Sequence, residues 1–113
     1  MTRSVLLPAA LLAVSAAGAH AQEGRQARCE ITVERQASVS GDCLFVPIGD
    51  GSFSVHHPGG IFAYVLMTGK GEAEASWNGN EGAKHAHDDL GALRRSERDG
   101  ACWVNDLARV CAW

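Results

Sequence analysis

His85-Ala86-His87-Asp88-Asp89 is the sharpest local cluster of metal-ligating side chains in the chain. In an extended segment His85 and His87 project to the same side, with a carboxylate close behind. Neutral imidazoles with carboxylates suit Zn2+ or Cu2+, so His85, His87 and Asp88 (or Asp89) form a candidate metal set that His56 and His57 could complete. The spacing matches no recognised ligand motif. A solvated polar loop, beside an unrelated histidine pair that ends a strand, accounts for the same residues.

Other chemistries have less to work with. There is no Gly-x-Ser-x-Gly elbow, and no serine is set by sequence beside a histidine and an acid. Asp88 and Asp89 are adjacent, so in a strand they diverge instead of flanking a bond. A glycine-rich phosphate loop needs a helix start behind it, and no stretch has helical periodicity.

The compartment is written at the N-terminus. Arg3, an apolar stretch from Val5 to Ala17 and the ending Ala19-His20-Ala21 have the layout of a secretory signal peptide over residues 1–21. The apolar stretch is shorter than the ~20 residues that a membrane span requires. No cysteine stands at the expected cut, so no lipid anchor is expected there. The mature chain is then 22–113, a single small β domain of 92 residues, periplasmic or secreted. It carries nine basic and thirteen acidic residues, a formal −4. That balance lacks the positive field of a nucleic-acid or anionic-membrane binder.

In such a compartment Cys29, Cys43, Cys102 and Cys111 read as two disulfides. No Cys-x-x-Cys pair speaks for zinc or a catalytic dithiol. Sequential pairing is favoured because each pair brackets a plausible hairpin. Folding Cys29 onto Cys43 centres a turn at Gln36 and sets Ile31 opposite Gly41 and Val33 opposite Val39. Folding Cys102 onto Cys111 sets Val104 opposite Arg109. Each loop should contribute about 2–3 kcal/mol in the chain-entropy description.

Turn signals recur every 8–12 residues, the spacing of an all-β domain. Strands are expected at 29–34, 39–48, 52–57, 61–68, 72–77, 90–96, 101–105 and 109–113, with Pro47 marking an edge or an early end. About eight short strands make a compact antiparallel barrel or sandwich. Phe53 and Val55 share one face, as do Ala73, Ala75 and Trp77. The run Ile61-Phe62-Ala63-Tyr64-Val65-Leu66-Met67 is apolar on both faces. It is either covered on both sides, or covers a core with one face and a partner with the other. Residues 78–89 break the pattern: polar, glycine-rich and without period, they form the expected recognition loop. Its candidate binding residues are Asn78, Asn80, His85, His87, Asp88 and Asp89.

The segments Trp77-Asn78-Gly79, Ala86-His87, Leu90-Gly91, Gly100-Ala101-Cys102-Trp103-Val104-Asn105 and Ala108-Arg109-Val110-Cys111-Ala112-Trp113 resemble small exported proteobacterial proteins of unknown function. The resemblance spans nearly all of 22–113 and implies no activity. In size, export and strand count the domain is also similar to the periplasmic inhibitors of c-type lysozyme, which are small disulfide-containing β-barrels. It lacks their serine- and lysine-bearing loop, so no residue role carries over.

These readings converge on an exported, non-enzymatic binding module for a protein or cell-envelope partner, inhibitor-like in build and of unspecified oligomeric state. A periplasmic metal-binding protein using the His85/His87 loop and a small envelope hydrolase are the alternatives. N-terminal sequencing of the exported protein should begin at Gln22. An intact Met1 in the cytosolic fraction would overturn both the export and the cysteine readings.

Overall fold

The computed structural model describes residues 24–113; the signal expected at 1–21 lies outside them. Eight strands, β1 (Arg25–Val33), β2 (Ala37–Gly49), β3 (Ser52–His56), β4 (Phe62–Gly69), β5 (Glu72–Trp77), β6 (Asp88–Arg95), β7 (Cys102–Val104) and β8 (Ala108–Ala112), succeed one another in sequence order. All neighbours are antiparallel, and β8 pairs back onto β1 to close a barrel. The open choice between barrel and sandwich thus resolves to a barrel. Among the described residues no helix is long and apolar enough to cross a membrane.

Alternation sorts the side chains. Ile31, Val33, Phe53, Val55, Ala63, Val65, Ala73, Ala75, Trp77, Trp103 and Val110 point inward and are buried. An eight-stranded barrel is just wide enough for such side chains to fill it. Trp77 and Trp103 take the volume that the alanines of β4 and β5 leave.

Strand β6 departs from strict alternation because a bulge opposite Ala75 and Ser76 inserts Leu90. Gly91 adopts φ 85° there, and its N–H donates to Asp89 Oδ1 at 2.8 Å. The bulge lets Leu90 and Leu93, three residues apart, both face the core. It also extends β6 back to Asp88, two residues before the expected start. Pro47 pairs with Phe53 and sits at a second bulge, beyond the last rung that β2 shares with β1. A residue without an N–H is tolerated there.

Both disulfides join the expected cysteines, Cys29–Cys43 and Cys102–Cys111. The second links directly opposed residues, with Val104 opposite Arg109 as anticipated. The first hairpin differs in register. Its turn is centred on Arg35, which adopts φ 65°, and Val33 pairs with Ala37, Ile31 with Val39 and Cys29 with Gly41. A three-residue turn with a left-handed residue replaces the symmetric turn about Gln36. The disulfide therefore runs diagonally, with Cα atoms 6.0 Å apart. Gly41, opposite Cys29, adopts φ 114°, which glycine takes without strain.

Strands β6 and β7 share only two rungs, Arg94 with Val104 and Arg95 with Trp103. Asn105 extends this seam with its side chain. Its amide donates to the carbonyls of Leu90 (2.9 Å) and Ala92 (3.0 Å), while its Oδ1 accepts the N–H groups of Leu107 and Ala108. One side chain replaces the ladder bonds that a three-residue strand is too short to make.

Candidate functional site

The expected recognition loop divides in two. Asp88 and Asp89 belong to β6, and Asp89 serves the Gly91 bulge. Asn78 departs furthest from expectation, because it is fully buried. Its Oδ1 accepts the Phe62 N–H at 3.0 Å, and its amide donates to the carbonyls of Gly60, Asn80 and Ala83. It is the anchor that ties the loop to the turn between β3 and β4. Gly60, at φ 114°, lies so close to the Glu81 carbonyl that any side chain would collide with it. Asn80 is exposed, and its Oδ1 accepts the Gly82 N–H at 2.9 Å.

His85 and His87 are exposed, as anticipated. His87 Nδ1 donates to the His85 carbonyl at 2.9 Å, and its Nε2 lies 3.7 Å from Asp88 Oδ1. Among the described residues no three His, Cys, Asp or Glu side chains converge into a metal-holding group. The set of His85, His87 and Asp88 is not assembled, and His56 and His57 do not complete it. His57 Nδ1 accepts the Gly59 N–H at 3.1 Å, and His56 Nε2 meets Ser54 Oγ at 2.9 Å. Each ring is committed to its own strand or turn.

The Ser54–His56 pair, two residues apart on one face of β3, went unnoticed in the sequence. It is the kind of contact that joins a nucleophile to its base. Ser54, however, is only 2% exposed, between the outward positions of Val46 and Tyr64. Among the described residues no carboxylate hydrogen-bonds the other ring nitrogen. The pair orients the imidazole; the hydroxyl has no path to a substrate.

What the imidazole joins is the outer face of β2, β3 and β4. His56 stacks on Phe62 (5.3 Å, 20°), and Tyr64 meets both rings edge-on at 6.3 and 6.1 Å. Leu44 lies across from His56, and Leu66 follows Tyr64 along β4; both are more than 40% exposed. The apolar run 61–67 therefore sends Ala63, Val65 and Met67 into the core and Phe62, Tyr64 and Leu66 outward. A depression of about 200 Å3 adjoins the cluster, bounded by Gln26, Asp42, Cys43, Leu44, His56 and Pro58. The Asn78-anchored loop borders it through the Pro58–Gly59–Gly60 turn. Burial holds the His56 imidazolium pKa below its ordinary value of 6.5.

No protein-family model, curated protein or solved structure matches the chain.

Three outcomes follow from this geometry. Asn78→Ala should cost about 2–3 kcal/mol in urea unfolding, because it strands buried backbone groups. His85→Ala and His87→Ala should each stay within about 0.5 kcal/mol, as exposed substitutions do. For His56 the folded pKa lies below the unfolded one, so between the two values the unfolded chain binds more protons. Its contribution to stability is therefore intact above pH 6.5 and declines as the pH falls from there toward the lowered value. Urea midpoints measured against pH should show this decline in the native protein, and a shallower one in His56→Gln.

Proposed function

We propose that this chain is an exported binding module whose partner is a protein, held on the aromatic outer face of β2, β3 and β4. The observation that carries the reading is the Phe62–Tyr64–His56 cluster, flanked by exposed Leu44 and Leu66. The barrel interior is filled by its own side chains, so recognition falls to the surface. Contiguous exposed apolar residues on a small soluble domain mark interaction sites. Tyrosine beside stacked rings is the composition of an interface hot spot. The neighbouring strands β1 and β5 turn Glu30, Thr32, Glu72 and Glu74 outward, which gives the apolar face polar flanks.

The cluster is also preorganised. Ser54 fixes the imidazole, and the two-sided pairing of β3 fixes the backbone beneath it. A rigid aromatic surface loses little conformational freedom on binding. The loop 78–87, anchored by Asn78, adds a polar rim on one side. The two disulfides suit an oxidising compartment, as export requires.

The test is affinity capture from envelope extract with the immobilised protein and two variants, Tyr64→Ala and Leu66→Asp. A protein retained by the native chain should be lost with both variants while their urea midpoints stay near native. Capture that survives both substitutions would remove this face from the reading. Retention of glycan instead of protein would redirect it to an envelope polymer.

A further inference from the structure

We infer that the end of the barrel opposite the Asn78 loop is a second, separate site, taking a carboxylate carried on a small apolar or aromatic body. At this end Phe45, Phe53 and Trp103 close the core, with Phe45 and Phe53 stacked at 5.2 Å. The guanidinium of Arg25 stands 4.6 Å above the Phe45 ring, and that of Arg95 stands 4.6 Å above Trp103. Beside Arg95 lies a depression of about 180 Å3, lined by Phe45, Phe53, Arg95 and Trp103 together with Gly51, Gly100, Ala101 and Ala112; Arg25 stands outside that lining, over the Phe45 ring. The mouths of β-barrels are recurrent sites for small ligands.

The charge arrangement selects the ligand. Among the described residues the ion pairs are His87–Asp88 and Arg109–Glu30, and no described carboxylate lies within 4.0 Å of Arg25 or Arg95. Asp99, in the loop that carries Gly100 and Ala101, is engaged elsewhere. One of its oxygens accepts the Ala101 N–H and the other the Trp113 indole N–H, at 3.0 Å each. The Ala101 N–H and then the indole hold the Asp99 carboxyl pKa below its usual value. Arg95 Nη1 donates to the Gly100 carbonyl at 2.8 Å, which orients the guanidinium across the mouth. A guanidinium has five N–H donors, so others remain for a ligand. Stacking on a ring occupies the face of the cation and leaves the donor edge free, the geometry in which arginine grips a carboxylate.

The rim supplies the other half of the recognition. Phe53 and Trp103 are buried beneath Phe45 and Arg95, but Phe45, Ala101 and Ala112 are only half-buried, an apolar surface next to Arg95 and near Arg25 in a chain of net negative charge. An inorganic anion would leave that surface unused, and a neutral hydrocarbon would leave the cations unpaired. A volume near 150 Å3 accepts one benzene ring. One aromatic ring or a short branched chain bearing a carboxylate fits both parts.

Titrating the purified protein with phenylacetate, and in parallel with its neutral amide, tests the site through 15N–1H spectra. Phenylacetate should shift the Trp103 indole and the amides of Phe53, Arg95 and Ala101, and bind at least tenfold more tightly than the amide. Arg95→Gln should weaken phenylacetate at least fivefold with an unchanged urea midpoint, and Arg25→Gln, outside the lining, should weaken it less. A short peptide ending in a free phenylalanine carboxylate separates two sources of the same chemistry. Binding tighter than phenylacetate points to a protein chain end, and weaker binding to a free organic acid. Equal binding of acid and amide, shifts confined to other surfaces, or indifference to Arg95→Gln would overturn the assignment.

Discussion

Everything in this molecule depends on the pairing of its first strand with its last. Five rungs, from Cys29 with Ala112 to Val33 with Ala108, turn a meander with two open edges into a barrel with none. An open edge would expose a row of unpaired backbone groups and invite other chains to add to it. Closure also defines an inside. Only once β8 lies against β1 do Ile31, Val33, Val110 and Ala108 share a core with Trp77 and Val65. The seam is reinforced at both ends of β8. Glu34 N–H donates to the Leu107 carbonyl, and Trp113 N–H donates to the Arg28 carbonyl.

Closure explains why the outside carries the chemistry. A barrel of this size has no room for a guest among its own side chains, so its two ends and its outer wall are what remain to offer. One end is secured by asparagines. Asn78 binds the β5–β6 loop to the β3–β4 turn, and Asn105 binds the β7–β8 turn to β6. The other end is lined by rings and arginines. On the wall between them β1 and β5 present Glu30, Thr32, Glu72 and Glu74, while β2, β3 and β4 present the aromatic cluster. Strand β4 is apolar on both faces because one face builds the core and the other is presented to solvent.

How much of this could be read from the residues alone follows from the range of each interaction. Alternation is local, so the inward faces of β3 and β5 and the opposition of Cys102 to Cys111 were legible. Glycine-marked turns are local too, and they brought the strand count within reach. The first hairpin was misjudged by two residues because its left-handed turn residue is an arginine, which carries no such mark. Asn78 was assigned to the recognition surface because a polar residue in a glycine-rich stretch looks solvated. Its partners Gly60 and Phe62 lie 18 and 16 residues away, and Asn105 reaches Leu90 across 15. Side-chain bonds of that span leave no local signature. The bulge at Gly91 left a faint one, in two leucines spaced by three within a strand. His85, His87 and Asp88, though close in sequence, do not converge: all three are exposed, and the His87 ring is held between the His85 carbonyl and Asp88.

The placing of the disulfides bears on how the molecule matures. Each joins residues within a single hairpin, 14 and 9 positions apart, and neither spans the seam. In a chain made from its N-terminus, Cys29 and Cys43 emerge together and Cys102 and Cys111 follow much later. Every non-native pairing would have to close a far longer loop, at a greater cost in chain entropy. The order of emergence and loop entropy therefore favour the same connectivity. Oxidation can proceed hairpin by hairpin, with little need for an isomerase to undo mistakes. The docking of β8 on β1 is left to hydrogen bonds and packing alone, and so stays reversible after every covalent bond is in place.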